Sequence, residues 1–71
     1  MANYTEGDSV EWDWGDGAAQ GTVQKTYTRK ITRTLQGTEV TRDGSDDDPA
    51  VYIEQDDGTG VLKLASEIRK A

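Results

Sequence analysis

Apolar residues in this chain come in short alternating runs, broken every few residues by glycine or aspartate, and nowhere in a helical rhythm. Val10, Trp12 and Trp14 alternate with Glu11 and Asp13, the period-two signature of a half-buried strand. Gly15-Asp16-Gly17 then ends the run. A long second run over about residues 18–28 places Gly21, Val23, Lys25 and Tyr27 on one face, with a bend expected at Gly21. The alternation weakens over Ile31 to Leu35, which reads as a mobile or strand-ending connection. A third strand is expected over Gly37 to Arg42, with Val40 inward. Pro49 opens a fourth over Ala50 to Gln55, since the first residue of a strand can lack a ladder donor. Asp56-Asp57-Gly58-Thr59-Gly60 signals a hairpin into a fifth strand, Val61 to Leu64. The closing Ala-Ser-Glu-Ile-Arg-Lys-Ala permits one short helical turn, capped by Ser66, with Ile68 plugging the end of the core.

Five short strands are too few for a useful two-layer sandwich, and curling one sheet removes its edges. The expected fold is all-β: a small five-stranded SH3-like (Tudor-like) barrel with a short C-terminal helical turn. Residues 1–71 are expected to form a single domain, ordered over about residues 4–70. Only 32% of the residues are hydrophobic, so most large apolar side chains must lie inside. Trp12, in mid-strand, is therefore read as core.

Composition narrows the chemistry. Without cysteine there is no disulfide framework or thiolate zinc site. Without histidine the usual general base and the commonest metal ligand are missing. Met1 to Thr5 carries neither the basic nor the apolar stretch of a signal peptide. No apolar run is long enough to span a membrane. A cytoplasmic monomer with no membrane contact is the expectation.

The net charge of −6 is distributed in blocks. Residues 1–17 carry five acids and no base, and residues 43–58 carry seven acids and no base. Residues 18–42 carry Lys25, Arg29, Lys30, Arg33 and Arg42 against Glu39 alone. Such a chain repels nucleic acid at long range while one segment attracts it locally.

The residues now in line are Gly7-Asp8-x-Val10-x-Trp12, Gly17, Gly21-x-Val23, Gly37, Asp47-Asp48-Pro49-Ala50-Val51-Tyr52-Ile53-Glu54, Thr59-Gly60 and Ile68-Arg69-Lys70. This pattern resembles the hypervirulence-associated protein Tudor domain, a family of small bacterial and fungal proteins formerly classed as a domain of unknown function. The resemblance covers about Tyr4 to Lys70 and implies a Tudor-like barrel with no established enzymatic activity. The chain departs from the family's pattern in two places. It has Thr-Arg-Asp-Gly-Ser-Asp-Asp-Asp-Pro where an Ala-Ser pair is usual, and no histidine in Gly-Val-Leu-Lys-Leu-Ala-Ser. No role attached to those family positions carries over.

Two binding readings follow. In the first, the chain is a non-catalytic binding or adaptor module that contacts an unidentified protein or peptide through its aromatic barrel rim. Trp14, at a strand end beside glycines, joins Tyr27, Tyr52 or Tyr4 in that reading, and Asp13 and Asp16 assist a cation held by the rings. In the second, Lys25, Arg29, Lys30 and Arg33, interleaved with Tyr27, give weak nucleic-acid binding. Asp43, Ser45, Asp47 and Glu54 fall at positions of a calcium loop, but Asp48 occupies the obligatory glycine position. Neither a metal site nor a cofactor is expected. Catalysis would have to rest on paired carboxylates such as Asp13 and Asp16, and nothing in the sequence separates their pKa values.

Overall fold

Strand β1 (Ser9–Trp14) turns at Gly15-Asp16 into the long β2 (Gly17–Tyr27), with Trp14 opposite Gly17 and Val10 opposite Gly21. The computed structural model describes residues 4–71; the reading of Met1 to Asn3 lies outside the described residues. The chain continues through β3 (Lys30–Leu35), β4 (Thr38–Asp43), β5 (Ala50–Glu54) and β6 (Gly60–Leu64). A 3₁₀ turn (Ala65–Glu67) then leads into β7 (Arg69–Lys70). Five strands form one antiparallel sheet in the order β6-β5-β2-β1-β7, while β3 and β4 form a separate two-stranded hairpin.

The all-β expectation and the short terminal turn hold. The strand count and closure are corrected. Among the described residues there are seven strands rather than five, and the sheet is not closed into a barrel. It ends at β6 on one side and at β7 on the other. The physical reason lies in the two elements nearest the gap. β7 is only two residues long and is used up in pairing with β1, and β4 of the separate hairpin packs beside β6. Ile31 to Leu35 is not a connection but the body of β3. The run expected as a third barrel strand is β4, outside the main sheet.

The core sits on one face of the curled sheet. Val10, Trp12, Val23, Val51 and Ile53 are buried there, with Tyr4, Ala65 and Ile68 closing its end. Tyr4 donates its hydroxyl to the Ile68 carbonyl at 3.3 Å. Gly21 is demanded by this packing. A Cβ there would stand 2.5 Å from Ile53 Cγ2 and 2.9 Å from the Glu54 carbonyl oxygen. The irregularity expected at Gly21 falls instead between Val23 and Lys25, where the ladder with β5 shifts register.

The helical turn is capped differently from the sequence reading. Glu67 reaches back to accept from the Leu64 N–H at 2.8 Å. Ser66 instead donates its N–H and its hydroxyl to the two carboxylate oxygens of Asp48, each at 2.8 Å. The acidic loop before β5 is thereby tied to the turn after β6.

Candidate functional site

Trp12 and Trp14 project from the same face of β1, two residues apart, and their surroundings differ. Trp12 lies opposite Ala19 and is 3% exposed. Trp14 lies opposite Gly17, which has no side chain to cover it, and is 72% exposed. It is the single large hydrophobic residue left exposed among the described residues.

The β3–β4 hairpin supplies the facing wall. Ile31, Arg33 and Leu35 are half-buried while Lys30, Thr32 and Thr34 are exposed, so β3 has an inward and an outward face. Arg33 anchors the inward face. Its guanidinium lies 4.0 Å from the centre of the Tyr52 ring and donates to the Tyr27 hydroxyl at 3.2 Å. On the outward face the Thr32 and Thr41 hydroxyls meet at 2.8 Å. The hairpin turns at Gln36-Gly37, both with positive φ, as a two-residue turn compatible with strand twist requires.

Between hairpin and sheet runs a groove of about 540 Å³, within the range of ligand clefts. Trp12, Ala19, Val61 and Leu62 line it from the sheet, and Leu35 and Val40 from the hairpin. Trp14 stands at its rim; Gln36, Gln55, Thr38 and Thr59 add uncharged polar groups. The charged residues among its lining are Arg42 and Lys63, both cations. Arg42 donates through Nε to Glu67 Oε1 at 3.1 Å and through Nη1 to the Thr41 carbonyl at 3.0 Å. Burial raises the Glu67 pKa, but hydrogen bonds from the Leu64 N–H and Arg42, with the nearby charges of Arg42 and Lys63, outweigh it and hold the carboxyl below its ordinary range.

The structure does not bring the expected aromatic set together. Trp14 lines the groove; Tyr27 and Tyr52 do not. Their rings are taken by the chain's own cations, Arg33 at Tyr52 and Lys25 and Arg29 at 5.6 and 5.4 Å from the centre of Tyr27. Tyr4 is buried beneath Lys70, whose Nζ lies 5.3 Å from its ring centre. Asp13 points away from the indole of Trp14, on the other face of β1, and pairs with Arg69 at 3.2 Å. Asp16 sits exposed in the β1–β2 turn. Of the four basic residues singled out, Lys25, Arg29 and Arg33 gather around the two tyrosines, and Lys30 lies exposed opposite Asp43. Asp48, in the calcium-like spacing, is engaged by Ser66. No group of three or more potential ligands among the described residues is placed to hold a metal ion.

Sequence reasoning missed Leu35, Val40, Arg42 and Lys63. The signal for the first two was present: two alternating runs flank Gln36-Gly37, which is hairpin grammar. Lys63 carries no comparable signal, because its place depends on where the hairpin docks.

The family model described as hypervirulence associated proteins TUDOR domain matches residues 7–68. The chain belongs to this family. Comparison with curated proteins and with solved structures gave no match. Tudor-type domains are in general non-catalytic binding modules, and the family thus suggests a small binding module. Among the described residues of this Tudor domain, no helix is long and apolar enough to cross a membrane.

Proposed function

We propose that this Tudor domain is a non-catalytic binding or adaptor module that takes a protein or peptide segment into the groove between the β3–β4 hairpin and the sheet. The observation that carries this reading is Trp14. A large indole left 72% exposed at the mouth of an apolar groove is the kind of residue that dominates binding energy at protein interfaces. It anchors the ligand, Trp12 and Val61 form the apolar floor, and the hairpin supplies the opposing wall.

The test is a selection of short random peptides on the immobilised domain, followed by titration against the wild type and Trp14→Ala. Binders are expected to lose about 2 kcal/mol, roughly thirtyfold in affinity, on the substitution. Peptides that bind Trp14→Ala as tightly as the wild type, or no enrichment at all, would refute the reading.

A second reading rests on a different observation. Lys25, Arg29, Lys30 and Arg33 make no salt bridge among the described residues, whereas Arg42, Arg69 and Lys70 each do. Cations without a carboxylate partner on one segment support weak nucleic-acid binding. Its signature is a fall of log affinity with log salt, about 0.7 per phosphate neutralised on a random single strand. Flat salt dependence, or no binding at low salt, removes it.

A further inference from the structure

The groove's charge is opposite in sign to that of the chain. The protein carries 14 acids against 8 bases, yet among the described residues no carboxylate lines the groove, and its charged residues are Arg42 and Lys63. Both lie toward the end where β6 leads into the 3₁₀ turn. That end already holds one carboxylate: Glu67 Oε1 accepts from Arg42 Nε at 3.1 Å and from the Leu64 N–H at 2.8 Å. Arg42 is further committed to the Thr41 carbonyl. Lys63 is half-buried and makes no salt bridge among the described residues. Lys63 lies close enough to Glu67 to help lower its pKa, but one carboxylate stands against two cations, so this end keeps one net positive charge.

The other end has the opposite character. Thr59, which lines the groove there, donates its N–H to Asp57 Oδ1 at 2.9 Å. That interaction holds the Asp57 carboxyl below its ordinary range, the Thr59 N–H being the leading cause. An acidic turn therefore stands at one end of the groove and a net positive charge at the other. The aromatic rim offers no carboxylate wall for a cationic ligand, since Asp13 faces away from Trp14 and is paired with Arg69.

We propose that the occupant of the groove is an apolar peptide segment bearing a carboxylate, its apolar side chains against Trp14, Trp12 and Val61 and its carboxylate at Lys63. This rests on the peptide-binding reading above and adds the sign and position of the ligand's charge. A methylated or free lysine in the ligand is disfavoured, because the two charged side chains that line the groove, Arg42 and Lys63, are of its own sign. The carboxylate is that of a Glu or Asp side chain of the segment; a peptide C-terminus at Lys63 is a separate outcome of the test.

The probe is the peptide acetyl-Gly-Leu-Val-Phe, made with a free C-terminal carboxylate, as its amide, as an amide extended by glutamate, and as an amide extended by trimethyl-lysine. Each is titrated into the intact domain at low ionic strength, following backbone and indole N–H shifts by NMR. The glutamate-extended peptide is expected to bind about tenfold more tightly than the plain amide, the scale of one charge-assisted hydrogen bond. That preference is expected to vanish in Lys63→Gln and to persist in Lys25→Gln, which controls for general electrostatic attraction. A gain for the free acid alone overturns the assignment of the carboxylate to a side chain. Equal or tighter binding of the trimethyl-lysine peptide overturns the proposal, as does a preference for anions that survives Lys63→Gln. If no peptide binds, or binding ignores Trp14→Ala, the peptide-binding reading falls with it. If binding requires Trp14 but not Lys63, only the charge assignment falls.

Discussion

Two tryptophans on one strand face meet different fates because their cross-strand neighbours differ. Ala19 beside Trp12 leaves room for burial, and Gly17 beside Trp14 leaves no cover. Trp12→Ala is expected to cost about 3–5 kcal/mol, enough to unfold much of a domain this small, as urea titration followed by circular dichroism will show. Trp14→Ala is expected to change stability by no more than about 0.5 kcal/mol. Acrylamide should quench one indole and spare the other; equal quenching would contradict the burial assigned to Trp12. This contrast was legible in the sequence, since alternation gives the face and position along the strand gives the depth. The fate of the tyrosines was not. Period two places Lys25 and Tyr27 together on β2, but which cation covers which ring depends on Arg33 arriving from another element.

At the scale of the element, the hairpin β3–β4 is where sequence reading went furthest astray. Its inward row is Ile31, Arg33 and Leu35, and a charged residue in the middle of that row hides the amphipathic pattern. The guanidinium is tolerated because it lies flat on Tyr52 and donates to Tyr27. The turn is locally imperfect: Gln36 sits at φ 54, a conformation that favours Gly and Asn. Gln36→Asn is therefore expected to stabilise the domain by about 0.5 kcal/mol, read as a shift in the urea midpoint at constant slope. Gly21→Ala works the other way. Its methyl would collide with Ile53 and the Glu54 backbone, and a loss of about 1–3 kcal/mol is expected by the same measurement.

For the whole molecule, charge sets the response to pH. Asp8 is held below its ordinary pKa of 3.8, first by the Lys70 side chain and then by the Thr5 N–H. Asp57 is lowered from 3.8 and Glu67 from 4.5. A depressed folded-state pKa means that the unfolded chain takes up protons first as pH falls. The stability these three groups contribute is thus complete above about pH 5 and drains away below their ordinary values of 3.8 and 4.5. Thermal melts across this range should show a plateau and then a decline; a melting temperature that rises on acidification below pH 4.5 would contradict these assignments. The all-β character was readable from the alternating runs and the turns between them. The open sheet was not, because a two-residue β7 is too short to show any alternation, and it pairs with a strand far from it in sequence, Val10 with Lys70 and Glu11 with Arg69.

The chain leaves the main sheet at Tyr27 and re-enters it at Ala50, and these two residues are paired neighbours in the ladder. The whole excursion between them, hairpin and acidic loop together, hangs from a single doorway in the frame. Substitution or change of length within it rewrites one wall of the groove while the five-stranded ladder keeps its register. Evolution, or a protein engineer, can retune what this scaffold recognises by editing one contiguous stretch of gene.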